Sequence, residues 1–264
     1  MNIRRTLLLF AAILFLNTSL WAQTPVKAYK DMSRAERLEF VGTQARRIAR
    51  EMSGKDYEFT AEFEVDIQKA VTRYAERIGA PAGKTDLRVV LERAQAQAPL
   101  INAAFRARHL SPIFGLYLPF IESEYVNIQS SKPMGAVGMF QFLPETGERL
   151  GLSAQDLLDV GKSADAAARY IANSMEVFKG DPMKEALALL SYNRGAPRVS
   201  RELKVVLNDQ NKQCSICALT AERSKLDETF RSESVFYVPI FFAAAIIGEN
   251  PQSFGLQMQP LSSH

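Results

Sequence analysis

The sequence predicts a mainly α protein, on three observations. Runs of alternating β-branched residues are scarce, and apolar residues recur at helical spacing through most long segments. Ser, Thr or Asp tends to precede those segments, and Gly or Pro follows them. No internal repeat or low-complexity tract interrupts the pattern. Of 264 residues 47% are hydrophobic, enough for one or two domains with a sizeable core that needs no metal or disulfide staple.

Residues 1–22 read as a secretory signal peptide. Arg4 and Arg5 give a basic start, an apolar run covers residues 7–16, and Ala22 precedes the expected cut. A spanning helix needs roughly 20 apolar residues. An uncleaved membrane anchor is the alternative, because Leu20 is larger than the small residue usual two places before a cut. No Cys follows the run, so no lipid anchor is expected, and the cleaved protein should be exported, periplasmic and soluble. Cleavage lowers Lys plus Arg from 32 to 30 against 29 acids. So balanced a chain has no general electrostatic hold on nucleic acid, and Arg46, Arg47 and Arg50 read as one solvated helix face.

The remaining elements follow in order. From Ser33 a stripe of Ala35, Leu38, Val41, Ala45, Ile48, Ala49 and Met52 predicts a helix ending near Ser53 and Gly54. A second is expected over 60–78, broken by Gly79, Pro81 and Gly83. A third begins near Asp86, carries Leu87, Val90, Leu91 and Ala94, and should stop or kink before Pro99. Residues 23–98 hold no constellation of reactive groups and read as a helical scaffold. Further on, Ser163 is a candidate N-cap for a helix through Ala167, Tyr170, Ile171, Ser174, Met175 and Phe178. Asp181 and Pro182 should open the next, which carries Leu187, Leu190 and Ser191 and puts Tyr192 and Asn193 at its C-terminal end. Residues 234–247 are the most apolar stretch after the leader; they read as an extended approach and a buried helix from Pro239 to Gly248, too short to span a bilayer.

Cys214 and Cys217 form a C-x-x-C pair. Zinc would need two more ligands, and His109 and His264 sit at no recognisable ligand spacing. A thioredoxin-like role would need a βαβ context, which is absent from the pattern. A local disulfide or two packed thiols is the expected state in an oxidising compartment.

Chemistry is concentrated in residues 118–151. Glu122 follows an apolar run that includes Leu116, Leu118, Phe120 and Ile121, so its carboxylate should be partly desolvated. Desolvation raises the pKa, as a general acid near neutral pH requires. Gly135 and Gly138, followed by Met139, Phe140, Gln141 and Phe142, suggest a close-packed turn and an apolar segment with one polar side chain. By local chemistry alone, a Glu at a helix end is more often a cap or a salt-bridge partner than a catalyst.

These residues resemble the lytic murein transglycosylases with a lysozyme-like fold. Glu122, Ser123 and Tyr125 match the family's Glu-Ser-aromatic motif. Gly135, Ala136, Gly138, Met139, Phe140, Gln141, Phe142, Leu143 and Pro144 match its second, and Glu145, Thr146, Gly147, Gly151 and Leu152 continue it. Ser191, Tyr192, Asn193, Arg194 and Gly195 match a third that ordinarily begins with Ala. Tyr237, Val238 and Pro239 resemble the end of the catalytic domain in the branch of membrane-bound lytic transglycosylase D. Motifs in this order are far more specific than any one of them. The family usually has Pro and Ala where Asn127 and Gln129 stand, and one extra residue lies between Ser131 and Gly135.

The resemblance implies a mainly α, lysozyme-like domain over residues 99–255, after the helical region 23–98 and before a tail, 256–264. It implies cleavage of the MurNAc-GlcNAc β-1,4 bond of peptidoglycan with formation of 1,6-anhydro-MurNAc ends. Glu122 would be the single acid/base, and Ser123, Ser131, Gln141, Tyr192 and Asn193 would be substrate-binding residues. Neither metal nor cofactor is implied, and the partner is the peptidoglycan glycan strand, met by a monomer; protein partners in the wall are left open. A goose-type-lysozyme-like muramidase would need a second carboxylate from Glu124, Glu145 or Glu148, and a non-catalytic peptidoglycan-binding protein would bind without cutting.

Overall fold

α1 (Arg34–Ser53) opens with a reciprocal cap in which the Ser33 hydroxyl accepts from the Glu36 N–H and the Glu36 carboxylate accepts from the Ser33 N–H. Gly54, at φ 70°, closes it in the left-handed conformation that a glycine adopts without penalty. The computed structural model describes residues 27–81, 85–131 and 135–264; the signal peptide and its cut at Ala22 lie outside them, as does Gly83.

Ten further helices and one small hairpin follow: α2 (Ala61–Ala75), α3 (Leu87–Ala107), α4 (Pro112–Ser123), β1 (Ile128–Ser131), β2 (Ala136–Gly138), α5 (Pro144–Arg149), α6 (Val160–Val177), α7 (Lys184–Arg194), α8 (Ala196–Val206), α9 (Ser215–Ala221), α10 (Glu228–Ser232) and α11 (Tyr237–Glu249). β1 and β2 pair antiparallel with Ile128 opposite Gly138 and Ser131 opposite Ala136. Thr60 and Asp86 cap α2 and α3 where their sequence signals lie.

α4 is the centre. Residues 113–120 are all buried, a pattern that places a helix inside a protein. α3, α6, α11 and α1 surround it, while α11 also rests on α2, and α7 and α8 extend the bundle from α6. One continuous apolar cluster runs from Tyr29 through all these helices to Leu261. The expected border between residues 98 and 99 therefore falls within α3, in the middle of a stripe that packs on both sides of it. The tail is also packed: Leu256 and Leu261 are buried, and Asn102 Nδ2 donates to His264 O at 2.8 Å. Within this region the buried Glu249 accepts from Tyr117 Oη at 2.6 Å and from the Ser262 hydroxyl at 2.5 Å. Among the described residues no helix is long and apolar enough to cross a membrane.

Four local expectations are corrected. α3 passes through Pro99 instead of stopping, because Ala94, Ala98, Ile101, Asn102 and Phe105 keep one buried stripe across it while Pro99 itself is exposed. Asp159, not Ser163, caps α6; Ser163 is buried in the first turn and donates to Val160 O. α7 starts at Lys184, two residues late, because Asp181 Oδ1 accepts from Met183 N in a preceding turn. Residues 234–236 are a 3-10 turn running directly into α11, not an extended approach, since the buried Ser234 and Val235 must already satisfy their backbone locally. Cys214 and Cys217 are joined in a disulfide at the start of α9, both buried.

Pro99 removes one helical hydrogen bond and crowds the carbonyl four residues back, a cost of about 3 kcal/mol partly offset by a stiffer unfolded chain. Pro99→Ala should raise stability by about 2 kcal/mol and Tm by about 4–8 °C in a thermal melt.

Candidate active site

Glu122 is the penultimate residue of α4, where the buried helix reaches the surface. The chain then turns sharply: Glu124 (φ 52°) and Tyr125 (φ 60°) both occupy the left-handed region that L-residues seldom adopt. Tyr125 is held there by burial and by donating its hydroxyl to Leu116 O, nine residues back inside α4. Backbone strain of this kind persists only where surrounding contacts over-determine it, and such contacts are in place on both sides of Glu122.

The carboxyl of Glu122 is half-buried, and Tyr237 Oη donates to its Oε1 at 2.5 Å. Burial pushes its pKa from the ordinary 4.5 up to about 7, although the hydrogen bond from Tyr237 acts in the opposite direction by favouring the anion. No neighbouring carboxylate contributes to that shift. The phenols of Tyr237 and Tyr192 are both pushed well above their ordinary range, by burial first and then by the charge of Glu122, so they stay protonated beside it.

The segment from β2 into α5 is tied to the ends of α4 and α7. Its successive carbonyls are each tied down by a side chain. Gly138 O accepts from Gln141 Nε2 at 2.7 Å, Met139 O from the Ser123 hydroxyl at 2.7 Å, and Phe140 O from the Tyr192 hydroxyl at 2.9 Å. Gly138, at φ 79°, lies so close to Leu157 O that a Cβ would collide with it, which explains the glycine and the packing of the hairpin on residues 156–158. Asn127 fastens the other strand, donating from Nδ2 to Leu158 O at 2.7 Å. The loop therefore has one position relative to Glu122.

The expected site residues accordingly divide. Tyr192 stands near enough to Glu122 to feel its charge, and Tyr192 and Gln141 are both half-buried with their polar groups bonded to the loop. Ser123 is buried, with its hydroxyl directed to Met139 O; it is a tie between α4 and the loop instead of a group facing the open side. Asn193 is exposed at the end of α7, where its Oδ1 accepts from Ser234 Oγ at 2.8 Å, and its amide nitrogen has no partner among the described residues. Ser131 is placed only by its backbone at the end of β1, and the extra residue before Gly135 lies outside the described residues.

Ser191 replaces the family's Ala without disturbing the core: it is fully buried and folds its hydroxyl onto Leu187 O at 2.8 Å. Arg194 fixes the end of α7, with Nε on Glu202 Oε1 at 2.8 Å, Nη2 on Asp227 Oδ2 at 2.5 Å, and its guanidinium over the Phe230 ring. Tyr170 supports Tyr192 edge-on, centroids 5.3 Å apart. Sequence reasoning missed the bond from Tyr237, because that residue is 115 positions from Glu122; its motif was visible, its contact was not.

Residues 99–214 match the family model of the transglycosylase SLT domain. The match supports a soluble-lytic-transglycosylase-like domain over that segment, and the mainly α, lysozyme-like fold with an N-terminal helical segment expected from the sequence is in place. No curated protein matches the chain. Tyr237 lies beyond the matched residues, so the hydrogen-bond donor to Glu122 comes from outside them.

Since the folded protein binds the Glu122 proton more tightly than the unfolded chain, its contribution to stability is full below about pH 4.5 and is lost as pH rises to about 7. Glu122→Gln removes that dependence. In urea unfolding it should gain up to about 3 kcal/mol over the parent between those pH values; a pH-independent difference would contradict the desolvated carboxyl. Tyr237→Phe should move the upper end of this window to higher pH, because a donor to the anion is lost.

Proposed function

We propose that the protein is a peptidoglycan lytic transglycosylase that cleaves the MurNAc-GlcNAc β-1,4 bond and leaves 1,6-anhydro-MurNAc ends. The observation that carries this reading is a lone, half-buried carboxyl poised near neutrality. With its pKa at about 7, Glu122 is protonated in a large fraction of molecules at neutral pH and can still act as a base once ionised. The protonated carboxyl donates to the glycosidic oxygen as the C1–O bond breaks, and the sugar's 2-acetamido oxygen supports the charge developing at C1. The resulting carboxylate is held by the Tyr237 hydroxyl. It then takes the proton of the same sugar's 6-hydroxyl, O6 bonds to C1, and Glu122 is regenerated without consuming water.

A muramidase would need a second carboxylate to activate water. Glu124 is turned to Arg77, its Oε1 2.7 Å from Nη2, while Glu145 and Glu148 are exposed on α5. None bears on the protonation of Glu122, which favours internal closure by the 6-hydroxyl. The exposed Asn193 is suited to hydrogen-bond an acetamido sugar along the groove. Within the family, Tyr237, Val238 and Pro239 ahead of Ala243, Ala244 and Ala245 favour the branch resembling membrane-bound lytic transglycosylase D. The leader sequence supports export to the periplasm, where the protein would act as a monomer through a domain spanning about residues 99–255.

Mass spectrometry of products released from purified sacculi tests the reading. Anhydro ends are expected; reducing ends would establish a hydrolase, and binding without release a non-catalytic protein. Glu122→Gln should fold and lose about 10²- to 10⁴-fold in rate, and the parent's rate should fall as pH rises above about 7.

A further inference from the structure

We propose that the cleft between α2 and α11 is a carboxylate-binding site for the acidic peptide carried by the glycan, with Arg73 as its anchor. The assignment rests on the peptidoglycan reading above. The cleft encloses about 200 Å³ and is lined by Ala70, Arg73, Tyr74, Arg77 and Ile240. The cleft is tied to the elements that hold Glu122. Ile240 follows Tyr237 by three residues on α11, so the two share a face about 5–6 Å apart. Tyr74 packs edge-on against Phe120 of α4, with ring centroids 5.4 Å apart. Arg77 pairs with Glu124, two residues beyond Glu122.

The charge is unbalanced in a way the fold does not need. Arg73 is exposed, has no carboxylate partner among the described residues, and makes only a long 3.4 Å contact from Nε to Lys69 O in its own helix. Arg77 is held over the Tyr74 ring, its guanidinium carbon 5.8 Å from the centroid, and donates Nε and Nη2 to Thr85 O at 3.2 and 3.1 Å, so it shapes the wall and leaves Arg73 as the group open to a ligand. Arg93 of α3 reaches Glu124 O at 3.4 Å. Two guanidinium groups, of Arg73 and Arg77, thus line the cleft, and of these Arg77 is already paired with a carboxylate, that of Glu124. Glu76, in the same turn of α2, instead lines a separate cavity with Tyr29 and Phe254.

The sugars' hydroxyl and acetamido groups carry no charge and call for no arginine. The peptide linked to the lactyl group of MurNAc carries free carboxylates. A planar guanidinium fork matches a carboxylate in two parallel hydrogen bonds, and the apolar side chains of Ala70 and Ile240 reduce the screening such a pair would meet in water. A muramyl residue held at Glu122 would bring its peptide to this side of α11, about one helical turn from Tyr237.

Co-sedimentation of the inactive Glu122→Gln protein with intact sacculi, and with sacculi stripped of peptides by an amidase, tests the site. Adding Arg73→Gln should weaken binding to intact sacculi by about tenfold, the loss expected for one hydrogen bond to a charged group. The loss on stripped sacculi should be far smaller, and Arg73→Lys should recover part of the binding. Equal weakening on both preparations, no weakening on the intact one, or no binding to either would overturn the site. The readout needs no turnover, so a parent that released no anhydro ends would sink the enzymatic reading while leaving the peptide dependence of binding to be read separately.

Discussion

The structure depends on how the loop between β2 and α5 is fastened. Three consecutive carbonyls, of Gly138, Met139 and Phe140, accept from Gln141, Ser123 and Tyr192. One donor comes from the loop itself, one from the end of α4 and one from the end of α7. A backbone segment without a regular ladder must find partners for its polar groups, and here those partners come from three separate sequence motifs. That is a physical reason for the motifs to occur together: each supplies a bond to one loop.

The second constraint is the placement of an ionisable group at the tip of an almost wholly apolar helix. α4 could not carry a carboxylate in its middle, where residues 113–120 are buried on all sides. At position 122 the helix is ending, so the group is dry enough to hold a proton near neutrality and open enough to meet a ligand. Tyr237 moderates this by stabilising the anion. Keeping this carboxyl dry therefore costs folding stability as pH rises from about 4.5 to about 7, where the unfolded chain ionises it more readily.

Much of this was legible in the sequence. The caps at Ser33, Thr60 and Asp86 and the glycine after α1 follow from local backbone chemistry, which short segments express fully. Glu122 was legible as a carboxyl after an apolar run, and Gly138 as a close approach. What failed was decided by tertiary packing: the passage of α3 through Pro99, where a continuous buried stripe outweighs a local penalty, and the late start of α7. Ser123 read as a ligand because the motif names the residue without saying where its hydroxyl points. The Tyr237 contact and the Arg194 network join residues far apart in the chain, and no period or spacing encodes such pairs.

α11 carries Tyr237 at one end and leans on α2 along its length, while the segment that matches the SLT domain stops before it. The stretch most easily recognised by likeness is thus smaller than the piece that could work alone. An exchange of parts between such proteins that moved only residues 99–214 would deliver Glu122 without the Tyr237 phenol and expose the apolar side of α4. A transferable unit has to run from α1 through α11, so the early helices and the late one are inherited together or lost together.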